Sequence, residues 1–297
     1  MVITNKLNLP EGIVRAVDTE PHNKSDKELS ATTLLKGIKE IITTQRHWEE
    51  LTDDAANRMW AVFGTAVHAL LETEGENEFS EVEVNDFFSN DKLEYIKITG
   101  RVDNYNMETG IITDYKTASI WKIQVGDFED WRMQGLIYAL LLYRSHLRIE
   151  KCRFIAILKD HSKSKAEKES SYPQSPVYIY EFPIGNAELK EAENFINVRI
   201  AEYLKYKDAA DDDIPPCTDK ERWATETKYA VMKQGRKSAV RVLDGIAEAN
   251  KMAAELGAGH YVETRPGVSK KCLDYCTCCD FCNFYNSFVK NQEPSEG

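Results

Sequence analysis

The segment between residues 96 and 116 constrains this chain most, because it predicts two paired strands at the centre of the fold. Residues 96–105 alternate as a strand does, residues 106–110 have the composition of a turn that ends in glycine, and residues 111–116 form a second strand. A short glycine-containing loop joins such strands as a hairpin. A strongly apolar helix is predicted next in the chain, so we expect this hairpin to lie inside a sheet rather than at its edge.

Three charged side chains lie on this hairpin: Asp103 on the first strand, and Asp114 and Lys116 on the second. Asp114 and Lys116 are two residues apart, so both point to one face, with Asp103 within reach. Burying two carboxylates and a lysine together is unfavourable unless they have partners. Carboxylates hold hard divalent cations, and a lysine stabilises a developing negative charge. Taken alone, these residues fit solvated surface charges in weak ion pairs better than a functional site, because short motifs of this kind often occur by chance.

The order of the predicted elements indicates an α/β fold, a mixed central sheet flanked by helices. We expect a loose N-terminal extension over residues 1–29, a core over 30–214 and a small C-terminal α+β module over 215–297. The elements predicted for the core are a helix over 53–74, a strand over 79–84, the hairpin, a helix over 131–147, strands over 153–158 and 177–182, and a helix over 187–207. Those predicted for the module are short strands over 229–233 and 239–243, a helix over 246–256 and an extended segment over 260–264.

Composition bounds the class of protein. Of 297 residues, 42% are hydrophobic and 29% charged, which is usual for a soluble globular chain. No apolar run is long enough to cross a membrane, and the N-terminus lacks a signal peptide, so we expect a cytoplasmic location. The net charge of −11 opposes nucleic-acid binding, which then requires a local basic surface. The densest basic stretch predicts such a surface or, equally, a solvated hairpin; it contains Lys233, Arg236, Lys237 and Arg241.

Five of the seven cysteines lie between residues 272 and 282, which indicates a metal or iron–sulfur site rather than a disulfide framework. One candidate ligand triplet is Cys272, Cys276 and Cys282, with Cys217 as the fourth ligand. Cys276, Cys279 and Cys282 form an alternative triplet with ferredoxin-like spacing. Four thiolates also suit zinc. Cys152, beside a predicted buried strand, is expected to be a core residue.

The ordered set of motifs resembles the PD-(D/E)XK nucleases, and among them the RecB-like nuclease domains and CRISPR-associated RecB-like exonucleases. The resemblance covers roughly residues 30–285. Its motifs, in chain order, are Gly64-Thr65-Ala66-Val67-His68, Asp103, Asp114-Tyr115-Lys116, the pair Gln134 and Tyr138, and the cysteine cluster. The cysteines differ from the family pattern, because none precedes Cys152 and the first spacing in the C-terminal triplet is three residues.

The resemblance implies a metal-dependent DNA exonuclease acting on single strands or duplex ends, in recombination, replication or phage DNA processing. The implied metal ligands are His68, Asp103, Asp114 and the backbone carbonyl of Tyr115, with Glu72 placed to orient the imidazole. An imidazole ligand biases such a site toward Mn²⁺ over Mg²⁺. Lys116 is implied to assist the attacking water, and Gln134 and Tyr138 to contact the lysine, a phosphate or the strand. The cysteines are implied to hold a structural [4Fe–4S] cluster.

Two other functions fit the same residues. One is an accessory protein that binds DNA ends on a nuclease fold without turnover. The other is an interaction module that carries a metal or cluster. Metal-dependent cleavage of DNA distinguishes the nuclease from both.

Overall fold

The computed structural model describes residues 1–18, 25–71, 75, 77–90 and 92–290. The chain divides into two compact units, Met1–Ala209 and Ala210–Gly297, a division that falls a few residues before the boundary predicted after residue 214. The first unit has a six-stranded and a two-stranded sheet, and the second unit has a three-stranded sheet.

The first unit contains the elements of the predicted core. Its strands are β1 (Val2–Thr4), β2 (Glu28–Ser30), β3 (Thr52–Asp54), β4 (Glu78–Ser89), β5 (Tyr95–Asn106), β6 (Ile111–Ala118), β7 (Lys151–Leu158) and β8 (Val177–Pro183). Its helices are α1 (Glu11–Val17), α2 (Ala31–Leu34), α3 (Ile38–Arg46), α4 (Met59–Leu71), α5 (Ile120–Val125), α6 (Glu129–Arg144), α7 (Lys163–Ala166) and α8 (Asn186–Tyr206). A 3₁₀ turn, Ala55–Arg58, precedes α4.

The main sheet is mixed, with strand order β2-β5-β6-β7-β8, and β4 pairs with β5 as well. The β2–β5 and β6–β7 pairs are parallel, and the other pairs are antiparallel. β5 and β6 pair only where residues 104–106 meet residues 111–113, at the turn that Gly110 closes with a φ of 68°. Beyond that turn β5 pairs with β2 while β6 stays paired with β7. The sheet therefore forks between Asp103 and Asp114, and we call this opening the fork.

Helices cover both faces of the sheet. Lys116 of β6 contacts Gln134 of α6, whereas the adjacent Thr117 lies beside Gly64 of α4. Successive residues of a strand face opposite sides, so α6 and α4 lie on opposite faces. A Cβ at Gly135 would lie 3.1 Å from the Phe154 ring, so α6 packs closely on β7. The expected α/β fold, a mixed central sheet flanked by helices, is confirmed.

The buried interior of this unit lies between the sheet and α6. β7 alternates strictly, with its buried side chains at Cys152, Phe154, Ala156 and Leu158. Cys152 is 1% exposed and its thiol donates to the Gly135 carbonyl, so its expected core position is confirmed.

The N-terminal residues differ from the expected loose extension. β1 pairs in parallel with β3, Val2 opposite Thr52. Asp54 Oδ2 accepts hydrogen bonds from Thr4 Oγ1 at 2.8 Å and from the Lys6 N–H at 2.9 Å. β3 also shortens the helix predicted from residue 53, which begins as α4 at Met59. Both differences come from pairing between segments about fifty residues apart in the chain, which local patterns do not contain.

The second unit has a three-stranded antiparallel sheet with one helix against it. Its elements are a 3₁₀ turn at Asp211–Asp213, β9 (Lys228–Lys233), β10 (Arg241–Leu243), α9 (Ile246–Leu256), β11 (His260–Arg265), α10 (Lys270–Asp274), a 3₁₀ turn at Cys279–Phe281 and a π-helical turn at Tyr285–Val289. The strand order is β10-β9-β11. Val231, Leu243 and Ala249 form its apolar cluster. Among the helices of the described ranges, none has the length and apolarity needed to cross a bilayer.

Candidate active site

The fork opens into a cavity of about 500 Å³ that contains the side chains predicted to form a nuclease site. They come from α4, β5, β6 and α6: His68, Asp103, Asp114, Lys116, Gln134 and Tyr138. These residues span seventy positions of sequence, and the first unit alone supplies all of them. The metal-binding, catalytic and positioning roles predicted for them stay predictions.

Asp103 joins the two strands where they part. Its Oδ2 accepts a hydrogen bond from the Tyr115 N–H at 2.7 Å. A side-chain oxygen of β5 thus takes the place of the backbone carbonyl that would otherwise pair with β6 there. The same oxygen lies 3.3 Å from His68 Nδ1. This contact with Asp103 is the main cause that raises the pKa of His68 above its ordinary 6.5, and burial of the imidazole opposes it.

Asp114 and Lys116 form a close pair on the face toward α6. Lys116 Nζ lies 2.6 Å from Asp114 Oδ2, and the carboxyl is 3% exposed. At this distance the two groups form an ion pair, in which the ammonium is the partner of Oδ2. Burial raises the pKa of Asp114 and Asp103 adds to the increase, whereas Lys116 opposes it. The ammonium therefore offsets only part of the unfavourable burial of this charge.

Gln134 connects the pair to α6. Its Oε1 accepts from Lys116 Nζ at 3.0 Å, and its Nε2 donates to Asp114 Oδ1 and to the Tyr138 hydroxyl, each at 3.0 Å. Both polar ends of the amide are thus used inside the site. Gln134 thus contacts the lysine, one of the two partners expected for it, and Tyr138 takes part through its hydroxyl; their roles in catalysis stay predictions.

Gly100 is a site residue that motif reasoning did not explain. A Cβ at this position would lie 2.8 Å from the Tyr138 ring, so a larger residue would force the tyrosine or β5 to shift. The signal was available in the sequence, because a glycine inside a strand pattern often marks a close approach.

The donor types fit a divalent cation, although their present arrangement pairs them with one another. Two carboxylates and an imidazole suit Mn²⁺ or Mg²⁺, and the buried Asp114 Oδ2 has the Lys116 ammonium beside it at 2.6 Å. Throughout the described part of the chain, no three His, Cys, Asp or Glu side chains already converge as a metal-binding group. An ion at Asp114 Oδ2 would replace the Lys116 ammonium, which keeps Gln134 as its partner. Glu72, predicted to orient His68, lies outside the described residues.

The predicted DNA-binding residues belong to the second unit. Lys233 ends β9, Arg241 begins β10, and Arg236 and Lys237 lie between them. All four are exposed. They form one basic loop, as their sequence spacing indicated, and their contact with DNA stays a prediction.

The C-terminal cysteines also lie in the second unit, and the seven cysteines of the chain form no disulfide. Burial, followed by the charges of Cys276 and Cys282, raises the pKa of Cys272 to about 11. The thiols of the first predicted triplet thus affect one another's titration, but within the described residues no three His, Cys, Asp or Glu side chains converge as a metal-binding group. Burial and Cys276 likewise raise the pKa of Cys279 to about 11, and the second triplet stays a prediction like the first. The fourth ligand, Cys217, and the identity of the metal or cluster stay predictions.

No protein-family model and no curated protein matches the chain. Several solved structures are distantly similar. The crystal structure of SSO0001 is 20% identical with a TM-score of 0.43, over 63% of this chain and 82% of that one. The alkaline exonuclease LHK-Exo from Laribacter hongkongensis is 13% identical with a TM-score of 0.36, over 61% and 90%. LHK-Exo in complex with dAMP is 13% identical with a TM-score of 0.34, over 60% and 89%. The chemistry proposed below depends on the geometry of the site itself.

Proposed function

We propose that this protein is a divalent-metal-dependent deoxyribonuclease with a PD-(D/E)XK, RecB-like site in the fork. It hydrolyses phosphodiester bonds as an exonuclease, on single strands or duplex ends. The observation that supports this most is the burial of Asp114, a carboxylate 2% exposed that lies with a second carboxylate, an imidazole and one ammonium in the same cavity. Burial raises the pKa of Asp114, and the Lys116 ammonium at 2.6 Å opposes only part of that increase. Two carboxylates with a single lysine leave negative charge in the interior that a divalent cation would neutralise.

A bound divalent cation would supply a nucleophile by lowering the pKa of a water molecule, and would neutralise charge on the phosphate under attack. Asp103, Asp114, His68 and the Tyr115 carbonyl are the proposed ligands. The Asp103 carboxylate is held in place by the Tyr115 N–H, so its orientation does not depend on the ion.

Lys116 is the proposed electrostatic catalyst. Its side chain is about one-fifth exposed, and its ammonium lines the cavity and donates to Gln134 Oε1. This second partner holds the ammonium at the site when Asp114 binds an ion, and aims its charge at the negative charge that develops on the phosphate. Gln134 is thus a positioning residue, because its amide holds the Asp114 carboxylate and the Lys116 ammonium in fixed positions relative to each other.

The remaining parts of the proposal rest on the resemblance. Recombination, replication or phage DNA processing is the proposed context, with proteins of those systems as partners. The basic loop of the second unit is proposed to contact DNA phosphates. The C-terminal cysteines are proposed to hold a structural [4Fe–4S] cluster, with zinc as the alternative.

An incubation with end-labelled DNA tests the function. Single-stranded and duplex DNA are each incubated with the full-length protein in Mn²⁺, in Mg²⁺ and in chelator. A nuclease shortens the labelled strand only in the presence of the ion. An end-binding accessory retards the DNA in a gel without shortening it, and an interaction module does neither, so either result refutes the proposal.

A further inference from the structure

Helix α4 has an apolar sequence, yet none of its described residues is buried. Trp60, Gly64 and His68 are spaced four residues apart and share one side of this helix. The His68 end of that side belongs to the fork. The Trp60 end carries a large aromatic ring that is 62% exposed.

The shared side follows β6 away from the fork. The ring of His68 lies 6.5 Å from that of Tyr115, and a Cβ at Gly64 would lie 3.6 Å from Thr117 Oγ1. Trp60 then meets Lys159, whose N–H donates to the Ala118 carbonyl at the end of β6. Helix and strand are therefore antiparallel. Trp60 lies roughly 12 Å from His68 along the helix axis, at about 1.5 Å per residue.

Trp60 and Lys159 present an aromatic surface and a positive charge at one place. Lys159 Nζ lies 3.9 Å from the centroid of the indole, and Phe63 braces the ring edge-on at 6.2 Å. Within the described ranges no carboxylate forms an ion pair with Lys159. An exposed indole stacks on any base, and an ammonium without a carboxylate partner pairs with a phosphate.

We propose that Trp60 and Lys159 form a nucleotide subsite for single-stranded DNA that enters the fork, with a base on the face of Trp60 opposite the ammonium and its flanking phosphate on Lys159. This deepens the proposed function and rests on it. The subsite lies within about four nucleotides of the scissile phosphate, the number that spans 12 Å at about 3.4 Å per stacked nucleotide. A base inside a duplex has both faces covered by its neighbours, so the subsite selects a single-stranded end.

Binding measured without cleavage tests the subsite. Fluorescence anisotropy of a labelled oligothymidylate in chelator compares the wild type with Trp60→Ala and Trp60→Phe. Truncation should weaken binding by about 5- to 150-fold, the range for a stacked base, and phenylalanine should restore much of the affinity. Trp223→Ala is the matched control, because Trp223 is 51% exposed and also has a lysine, Lys271, over its ring at 5.7 Å. Equal affinity of the wild type and Trp60→Ala overturns the proposal.

Two further measurements locate the contacts. The plot of the logarithm of the binding constant against the logarithm of the salt concentration has a negative slope. In Lys159→Gln this slope should become shallower by about 0.7, the value for one phosphate on a single strand. Single abasic substitutions at the four nucleotides nearest the end should reveal one position where the lost base weakens binding to the wild type but not to Trp60→Ala. An unchanged slope, or equal sensitivity of both proteins at every position, contradicts the subsite.

Cleavage in Mn²⁺ separates the two proposals. Wild-type protein that binds DNA through Trp60 but never cleaves it refutes the nuclease and keeps the subsite. Normal cleavage with Trp60-independent binding refutes the subsite and keeps the nuclease.

Discussion

Replacing Asp114 by asparagine removes one charge from the centre of the site with little change of shape. Asparagine retains an oxygen that accepts from Gln134 Nε2, as Asp114 Oδ1 does at 3.0 Å. Lys116 keeps its bond to Gln134 Oε1. Because the network stays largely connected, the variant should fold. Its loss of function then reports on the charge rather than on the fold.

The expected effects are large in two independent assays. DNA cleavage should fall at least about 10²-fold if ion binding and electrostatic stabilisation at Asp114 carry catalysis. An ion bound only to the native state stabilises it by about 2.7 kcal/mol at a hundred times its Kd. In a unit the size of Met1–Ala209, this raises the wild-type Tm by about 5–10 °C. Asp114→Asn should lose most of that increase.

Thermal melts in chelator and in Mn²⁺, with cleavage measured on the same preparations, test this reasoning. Asp130→Asn is the matched control, because Asp130 also pairs with a lysine, Lys122, at 2.8 Å, but its side chain is 57% exposed. The control should keep both the Mn²⁺ shift and the cleavage of the wild type. A folded Asp114→Asn protein with the wild-type Mn²⁺ shift, or with near-normal cleavage, would refute the assignment of Asp114 as an ion ligand.

Other predictions concern the neighbouring groups. Mn²⁺ should support cleavage at lower concentration than Mg²⁺ because His68 supplies a nitrogen ligand. If the ratio of the Mn²⁺ and Mg²⁺ concentrations needed for cleavage is the same in His68→Ala as in the wild type, His68 is not a ligand. The raised pKa of His68 means that its contact with Asp103 stabilises the protein below about pH 6.5 and is lost as pH rises through the raised value. In chelator, the difference in unfolding free energy between wild type and His68→Gln should therefore shrink from acidic to alkaline pH, by on the order of 1 kcal/mol, and a difference that grows with pH would contradict it. Gln134→Leu should reduce kcat by about 10- to 100-fold through loss of the Lys116 contact, which steady-state kinetics would detect, and an unchanged kcat would count against the positioning role. Cys276→Ala should lower the Tm first, and the cleavage rate should fall only as folding fails. Wild-type protein purified anaerobically should be brown if the cysteines hold an iron–sulfur cluster. Colourless protein with stoichiometric zinc would replace the iron–sulfur assignment by zinc, and stable metal-free protein would refute both.

Local sequence patterns contained much of the fold. The alternation of β7 and the apolar run of α6 identified both elements. Each element lies in the interior, so the residue types along it directly reflect which of its positions are buried. The hairpin placed Asp114 and Lys116 on one face, and both do contact Gln134. The spacing of Gln134 and Tyr138 likewise placed them on one side of a helix, where they bond to each other.

What the sequence did not contain was pairing between distant segments. The fork exists because β5 leaves β6 to pair with β2, some seventy residues earlier in the chain. The β1–β3 pair depends on a similarly remote contact. The periodicity of α4 predicts a helix but not how much of that helix stays exposed, so it does not reveal the exposed ring of Trp60. Spacing alone also leaves both cysteine triplets open.

The central claim is that the fork holds a divalent cation between the strand carrying Asp103 and the strand carrying Asp114. Anomalous diffraction at the manganese edge, from crystals grown in Mn²⁺, tests it most directly. The account predicts a peak in direct contact with the Asp114 carboxylate, with Asp103 and His68 as further ligands, and no such peak in crystals of Asp114→Asn. Manganese found elsewhere, in a protein that still cleaves DNA, would contradict it.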